Sequence, residues 1–215
     1  MSAACRAPHS TNRSRSRRRG GRGRAALLAA GAAVGALTLA ACGSGGTSGG
    51  GGNTNFVVGN DGIATAKKSE RQASPALEGA TLDGKRLDIK DDYKGKIVVI
   101  NVWGSWCAPC RAEAPNFVKV AKDTKARGVE FVGINTRDPE KGPAIQFEKA
   151  HHVPYPSLHD PTGKLLLRFP RGSLNPNFIP STLVIDRDGK IAARSQQPLN
   201  ETKLRKMIDP VLAEK

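Results

Sequence analysis

No acidic residue occurs before Cys42, although eight arginines do. Cysteine is limited to four residues in 215, no second C-x-x-C accompanies Cys107–Cys110, and no internal repeat is visible. The longest uncharged apolar run, Ala25–Ala41, is short and rich in Ala and Gly for a membrane-spanning helix. Each absence removes a class of protein. A single C-x-x-C is half a metal knuckle and does not close a four-cysteine zinc site. The lack of early acids also explains the charge. Eight of the 34 Lys+Arg precede Cys42, leaving 26 against 19 Asp+Glu, so +7 of the formal +15 belongs to the rest. There the basic residues are interleaved with acids, as at Lys119, Lys122, Asp123, Lys125 and Arg127. That is a soluble, mildly basic surface, with modest attraction to anionic lipid as the alternative. Nucleic acid is not indicated. The length suits one ordinary domain plus an appendage.

The appendage reads as an export signal. Arg13, Arg15, Arg17, Arg18, Arg19, Arg22 and Arg24 form a positive n-region, and Ala25–Ala41 has the length of a signal-peptide core. The run ends in Leu39-Ala40-Ala41-Cys42, which resembles the bacterial lipobox. Small residues there let a peptidase reach the backbone, and the thiol accepts the lipid. Residues 1–41 are therefore read as a lipoprotein signal peptide and Cys42 as the lipidation site. Residues 42–73 are read as a tether, Gly/Ser-rich from Gly43 to Gly52 and hence a flexible coil, with the polar stretch 53–73 either its end or an irregular lead-in to the domain. The alternatives are an uncleaved membrane anchor and plain secretion after a different cleavage. The choice between general and twin-arginine export stays open.

From about Ser74 the pattern is that of one α/β domain, 74–215. Asp83-Gly84 is a hairpin turn signal between Thr81-Leu82 and Leu87-Ile89. Lys96–Trp103 is a β-branched apolar run suited to a buried parallel strand. Cys107 to about Lys125 reads as a helix, Val129–Ile134 as a strand, and Pro139 to about His151 as a helix. Gly163–Phe169 reads as a short helix. Ser181–Asp186 and Lys190–Arg194 form a strand pair around Asp188-Gly189, and Thr202–Ala213 closes the chain as an amphipathic helix. A βαβ crossover followed by a hairpin and a helix implies a mixed sheet covered on both faces.

The chemistry concentrates at Trp106-Cys107-Ala108-Pro109-Cys110, where a buried strand turns into a helix. In that setting C-x-x-C reads as redox-active. Cys107 falls at a helix N-terminus, where unpaired N–H groups favour a thiolate, the species that attacks in exchange. Cys110, one turn on, is placed to resolve the mixed disulfide. Pro109 suits a first helical turn, where its missing N–H costs nothing. Cys5 leaves with the signal and Cys42 is consumed by lipid, so Cys107 and Cys110 carry the remaining thiol chemistry. A purely structural bridge is the bland alternative, and a two-residue loop gives it little entropic benefit. A metal site would need His151, His152 or His159 to fold back from distant segments. His151-His152 reads as an exposed helix end and His159 as a loop residue.

The run Asn101-Val102-Trp103-Gly104-Ser105-Trp106-Cys107-Ala108-Pro109-Cys110-Arg111-Ala112-Glu113-Ala114-Pro115 resembles the TlpA/ResA group of extracytoplasmic thiol–disulfide oxidoreductases, of the thioredoxin-like superfamily. The resemblance implies a thioredoxin-like fold, a central mixed β-sheet flanked by helices with an N-terminal β-hairpin. It implies that Cys107 is the exposed nucleophile, Cys110 the buried resolving thiol, and Glu113 a proton-handling residue; a solvated helix charge is the alternative for Glu113. Pro115 matches the proline that kinks the family's first helix. Ile179-Pro180-Ser181-Thr182 matches the family's cis-proline loop, so Ile179 and Pro180 are expected to shape a groove recognising substrate by strand addition. Trp106, with Ala108 and Pro109, is expected beside the substrate, Trp106 covering Cys107. Asn101 stands where cytoplasmic thioredoxins carry a buried acid, and that role is not carried over to it. The segment Arg168–Asn177 is longer and more turn-rich than the family leads one to expect, and is read as a possible extension of the groove.

These residues point to a reductase of disulfides in exported proteins, such as those of apocytochrome c or copper-site cysteines, with a membrane electron-donor protein as partner. A disulfide-donating oxidase uses the same residues. A peroxidase and a metal-binding lipoprotein are the readings from other classes. No cofactor beyond the Cys107–Cys110 pair, and no metal, is called for.

Overall fold

The structure is a computed structural model and describes residues 55–214. The expected signal peptide, the lipidation site Cys42 and the Gly/Ser run lie outside the described residues. Seven strands form one sheet: β1 (Val57–Val58), β2 (Ile63–Thr65), β5 (Ile97–Trp103), β6 (Val129–Thr136), β7 (Ser157–Asp160), β8 (Ser181–Ile185) and β9 (Ile191–Ser195). Their order is β1-β2-β9-β8-β5-β6-β7, and β3 (Glu78–Ala80) and β4 (Arg86–Asp88) form a separate hairpin. β5 runs parallel to β6 and antiparallel to β8, so the sheet is mixed. The helices are the short α1 (Ile89–Asp92), then α2 (Ala108–Thr124), α3 (Lys141–His151) and α4 (Glu201–Ala213). Gly163–Phe169 holds only a 3₁₀ turn at Leu166–Arg168. Among the described residues no helix is long and apolar enough to cross a membrane.

β5 is buried at all seven positions because both of its faces are covered. Side chains alternate across a strand, which sorts its residues. Ile97 and Val99 join Phe117 and Val120 of α2 and Leu204, Met207 and Ile208 of α4. Val98, Ile100 and Val102 join Leu87, Ile89, Leu166, Phe169 and Leu174 on the other side. That second face is thus closed by the hairpin, α1 and the turns after β7. Trp103 stacks on Phe147 of α3 with ring centroids 4.4 Å apart, and its indole N–H donates to Ser157 Oγ at 3.2 Å. Gly133 on β6 permits this bond, since a Cβ there would collide with Ser157 Oγ and the Trp103 indole.

Two expectations fail. The tether was expected to reach residue 73, but Ile63–Thr65 pairs antiparallel with β9, and Ala73 bridges Lys190. Ile63, Ala64 and Ala66 are buried. The Arg71 side chain is 5 % exposed and donates to Asp186 Oδ2 at 2.9 Å, with Glu214 as its other carboxylate partner. The domain therefore begins before residue 57, because β9 needs an outer neighbour for its backbone groups and the short, mostly polar segment supplies it. His159 was expected in a loop, but it lies in β7 opposite Asn135 of β6, with Nε2 2.9 Å from the Asp138 carbonyl.

Removing residues 55–73 should therefore cost stability. A fragment 74–215 is expected to melt at least about 10 °C below 55–215 in a calorimetric scan, since a broken buried ion pair alone costs about 3–5 kcal/mol. Equal melting temperatures would restore the tether reading.

Candidate redox site

The site forms where β5 ends and α2 begins. Gly104 accepts the Cys107 N–H at 3.1 Å, closing the turn between them. The Trp106 indole lies against Gly104 at a place any Cβ would occupy, and its N–H points to the Thr136 carbonyl at 3.4 Å. Asp138, buried in the loop after β6, accepts from the Ser105 N–H at 2.8 Å, the Ser105 hydroxyl at 2.6 Å and Asn135 Nδ2 at 2.6 Å. The Arg111 guanidinium reaches back to the Ser105 carbonyl at 2.5 Å. The loop that delivers Cys107 is thus held from three sides.

Cys107 is the N-cap of α2, and its sulfur accepts the Cys110 N–H at 3.2 Å. The positive end of the helix therefore faces this sulfur, as a thiolate needs. Cys107 and Cys110 are joined in a disulfide with S–S 2.04 Å. Cys107 is 3 % exposed and Cys110 2 %. In the disulfide state, then, Cys107 is not the exposed sulfur that the family resemblance implies. It packs among Leu82, Trp103, Ala114 and Phe147, with Ile179 against the cluster. Trp106, 46 % exposed, and Ala108 and Pro109 form the solvent rim. Ile179–Pro180 is a cis peptide bond, and the Ile179 carbonyl oxygen lies 3.9 Å from Cys107 Sγ.

Glu113, three residues past Cys110 and on the same helix face, is 2 % exposed rather than solvated. Its carboxyl oxygens accept from Asn101 Nδ2 at 2.9 Å and from the Leu199 N–H at 2.9 Å. Burial raises its pKa to about 7, and these two hydrogen bonds pull the other way. A carboxyl group poised near neutrality can take or give a proton at the pH where exchange runs. Pro115 lies within α2, where it has no N–H to offer the carbonyl of Arg111. His151 ends α3 with its ring 4.6 Å from Phe147, and among the described residues no group of His, Cys, Asp and Glu is arranged to hold a metal ion.

With this geometry in view, the relatives are informative. A family model described as Redoxin matches residues 64–209. The chain belongs to the Redoxin family. It is 38% identical over 155 residues to the thiol:disulfide interchange protein HelX of Rhodobacter capsulatus, covering 70% of this chain and 80% of that protein. It is 32% identical over 123 residues to the thiol-disulfide oxidoreductase ResA of Bacillus subtilis, covering 57% of this chain and 65% of that one. Among solved structures, a DsbF homologue from Corynebacterium diphtheriae aligns with TM-score 0.65 and 33% identity, over 71% of this chain and 94% of its own. A secreted thiol-disulfide isomerase from Corynebacterium glutamicum aligns with TM-score 0.66 and 26% identity, over 71% and 93%. The fold is thioredoxin-like, and the Redoxin chain is a thiol–disulfide oxidoreductase.

Sequence reasoning missed the supports of the site. Asn101 was set aside because it is not an acid, yet it sits at the right position on β5 to donate to Glu113. Asp138 and Leu199 come from 31 and 92 residues beyond Cys107, roughly counted along the chain. Only the parity of Asn101 along a buried strand signalled any of this.

The raised Glu113 pKa sets a pH dependence. An acid whose folded pKa lies above its unfolded value contributes stability below about pH 4.5, and that contribution fades as pH rises through about 7. Glu113→Gln is expected to flatten the stability profile over that window by about 3 kcal/mol, measured by urea unfolding at pH 4.5 and 8. Asn101→Leu removes a bond that favours the ionised form, so it should move the Glu113 titration above 7; a downward move would refute the assignment.

Proposed function

We propose that this oxidoreductase works outside the cytoplasm as a reductase of disulfides in exported proteins, such as the heme-attachment cysteines of apocytochrome c or copper-site cysteines. The observation that carries the reading is the Cys107 sulfur at the α2 N-cap beside the cis Ile179–Pro180 bond, with Glu113 buried one turn past Cys110. In the reduced protein the Cys107 thiolate attacks one sulfur of the substrate disulfide and the other substrate sulfur leaves as a thiolate. Glu113 takes the Cys110 proton as Cys110 attacks Cys107 Sγ. The second substrate thiolate then departs, and the Cys107–Cys110 disulfide remains. Two electrons pass to the substrate, whose two thiolates take up two protons.

Trp106, Ala108, Pro109, Ile179 and Pro180 line the substrate side in this reading, the backbone of Ile179 pairing with an extended segment. Export by the residue 1–41 signal, lipidation of Cys42 and a membrane protein that returns electrons complete it. The lipobox-like tetrapeptide and the Gly/Ser run support them. Anchoring keeps the domain within reach of a donor in the membrane.

Cys110→Ser removes the resolving thiol, so it should trap dithiothreitol-sensitive mixed disulfides on Cys107 when incubated with exported proteins. No adduct at all would refute exchange through Cys107. The direction of flow follows from the potential of the pair, measured by equilibration against dithiothreitol or glutathione buffers. A value at or below about −250 mV fits the reductase, and one near about −130 mV assigns the protein as a disulfide donor instead.

A further inference from the structure

Arg194 on β9 is a half-buried cation that has no carboxylate partner among the described residues. Its guanidinium stacks on Phe56, 5.0 Å from the ring centroid, and donates to Gln196 Oε1 at 3.2 Å. Its Nε and the Nε2 of Gln196 are buried without a hydrogen-bond partner. Burial disfavours its charge, with no carboxylate offsetting the loss. Elsewhere in the domain buried arginine is treated differently, as Arg71 shows with Asp186 and Glu214. A half-buried guanidinium that lines two surface depressions with no carboxylate beside it attracts one through its exposed edge.

Its surroundings say what carries that carboxylate. Two surface depressions, of about 430 and 510 Å³, share Arg194 and Gln196. Val58 and Phe178 line the first, and Leu167, Phe169, Leu174 and Pro176 line the second. Val58, Leu167 and Phe178 are 50 %, 71 % and 54 % exposed, so three of the five large exposed apolar side chains among the described residues lie here. A fourth is Trp106, at the redox site. Arg171, in the same wall, adds a second cation, this one exposed. A small inorganic anion has no use for this apolar lining; an extended polypeptide with acidic and apolar side chains does.

The depressions also adjoin the cis-proline loop. Phe178 directly precedes Ile179–Pro180, and Thr182 pairs with Ser195, so Gln196 and Gln197 flank the strand end at Pro180. We propose that Arg194, Gln196 and the segment from Leu166 to Phe178 form a specificity cleft for an acidic side chain of the exported partner. That side chain lies a few residues from the partner's reacting cysteine, with an apolar neighbour against Phe178. The turn-rich segment 168–177 is thereby a recognition element. The inference rests on the exchange reading above.

The test uses the reduced protein and synthetic disulfide-bonded nonapeptide dimers, each peptide with one cysteine. One glutamate, glutamine or lysine is placed two to six residues to either side of it. Second-order exchange rates are read by stopped flow, with hydroxyethyl disulfide as a small uncharged substrate. At one or two spacings the glutamate peptide is expected to react at least about fivefold faster than its lysine counterpart, the advantage shrinking with salt. Arg194→Gln should abolish that ratio, Arg194→Lys should keep part of it, and Lys122→Gln, an equal charge change on α2, should leave it intact. All should reduce hydroxyethyl disulfide at the unaltered rate. Exchange with the small disulfide but no glutamate preference, or a preference that survives Arg194→Gln, overturns the cleft alone. Failure of the unaltered protein on every disulfide overturns the exchange reading and the cleft with it.

Discussion

Complete burial of β5 is the constraint on which the rest depends. A strand covered on both faces cannot shift by one residue without exchanging its two sets of side chains, so its end point is set. That end point delivers Cys107 to the first turn of α2, and the parallel pairing with β6 brings the following loop, with Asp138, up against Ser105. The antiparallel pairing with β8 brings Pro180 to the same end of the sheet. Helix dipole, sulfur and cis-proline loop meet there because three strands share one register.

The cost of the arrangement is Glu113. An acid at a position that points into the core loses hydration, and the fold offsets only part of this with Asn101 and the Leu199 amide. An aliphatic side chain there would make a more stable domain by the same physics. An imperfectly compensated acid one turn from Cys110, its pKa raised to about 7, is stability given up, which the proposed role in proton transfer would account for. Arg194 poses the same question at the edge of the sheet. There the uncompensated charge faces solvent and a groove instead of the core, where a partner can complete it.

Much of the domain is legible in the sequence. β5, α2, β6, α3, the β8–β9 pair and α4 follow from apolar periods and turn residues, with ends displaced by one or two positions. What stayed hidden has a physical pattern. β1 and β2 are two and three residues long in a polar stretch, and β7 is four residues with a histidine inside. Such segments carry almost no periodicity, and pairing with a neighbour far along the chain makes them strands. Glycine showed the same limit: Gly104 and Gly133 look ordinary in sequence, and the side chains packed against them, the Trp106 indole at the first and Ser157 with the Trp103 indole at the second, explain the missing ones.

The order of residues alone determined the reactive pair, since one C-x-x-C at a strand-to-helix junction defines its own local geometry. It determined, too, that Glu113 shares a helix face with Cys110. Tertiary structure decided how those residues behave. Whether Glu113 is solvated or buried, which amides answer its carboxyl, and whether Arg194 meets an acid are consequences of segments tens of residues apart coming together. Local spacing specifies which atoms are neighbours along the chain, while the dielectric and the hydrogen-bond partners that tune them come from the packing of distant ones.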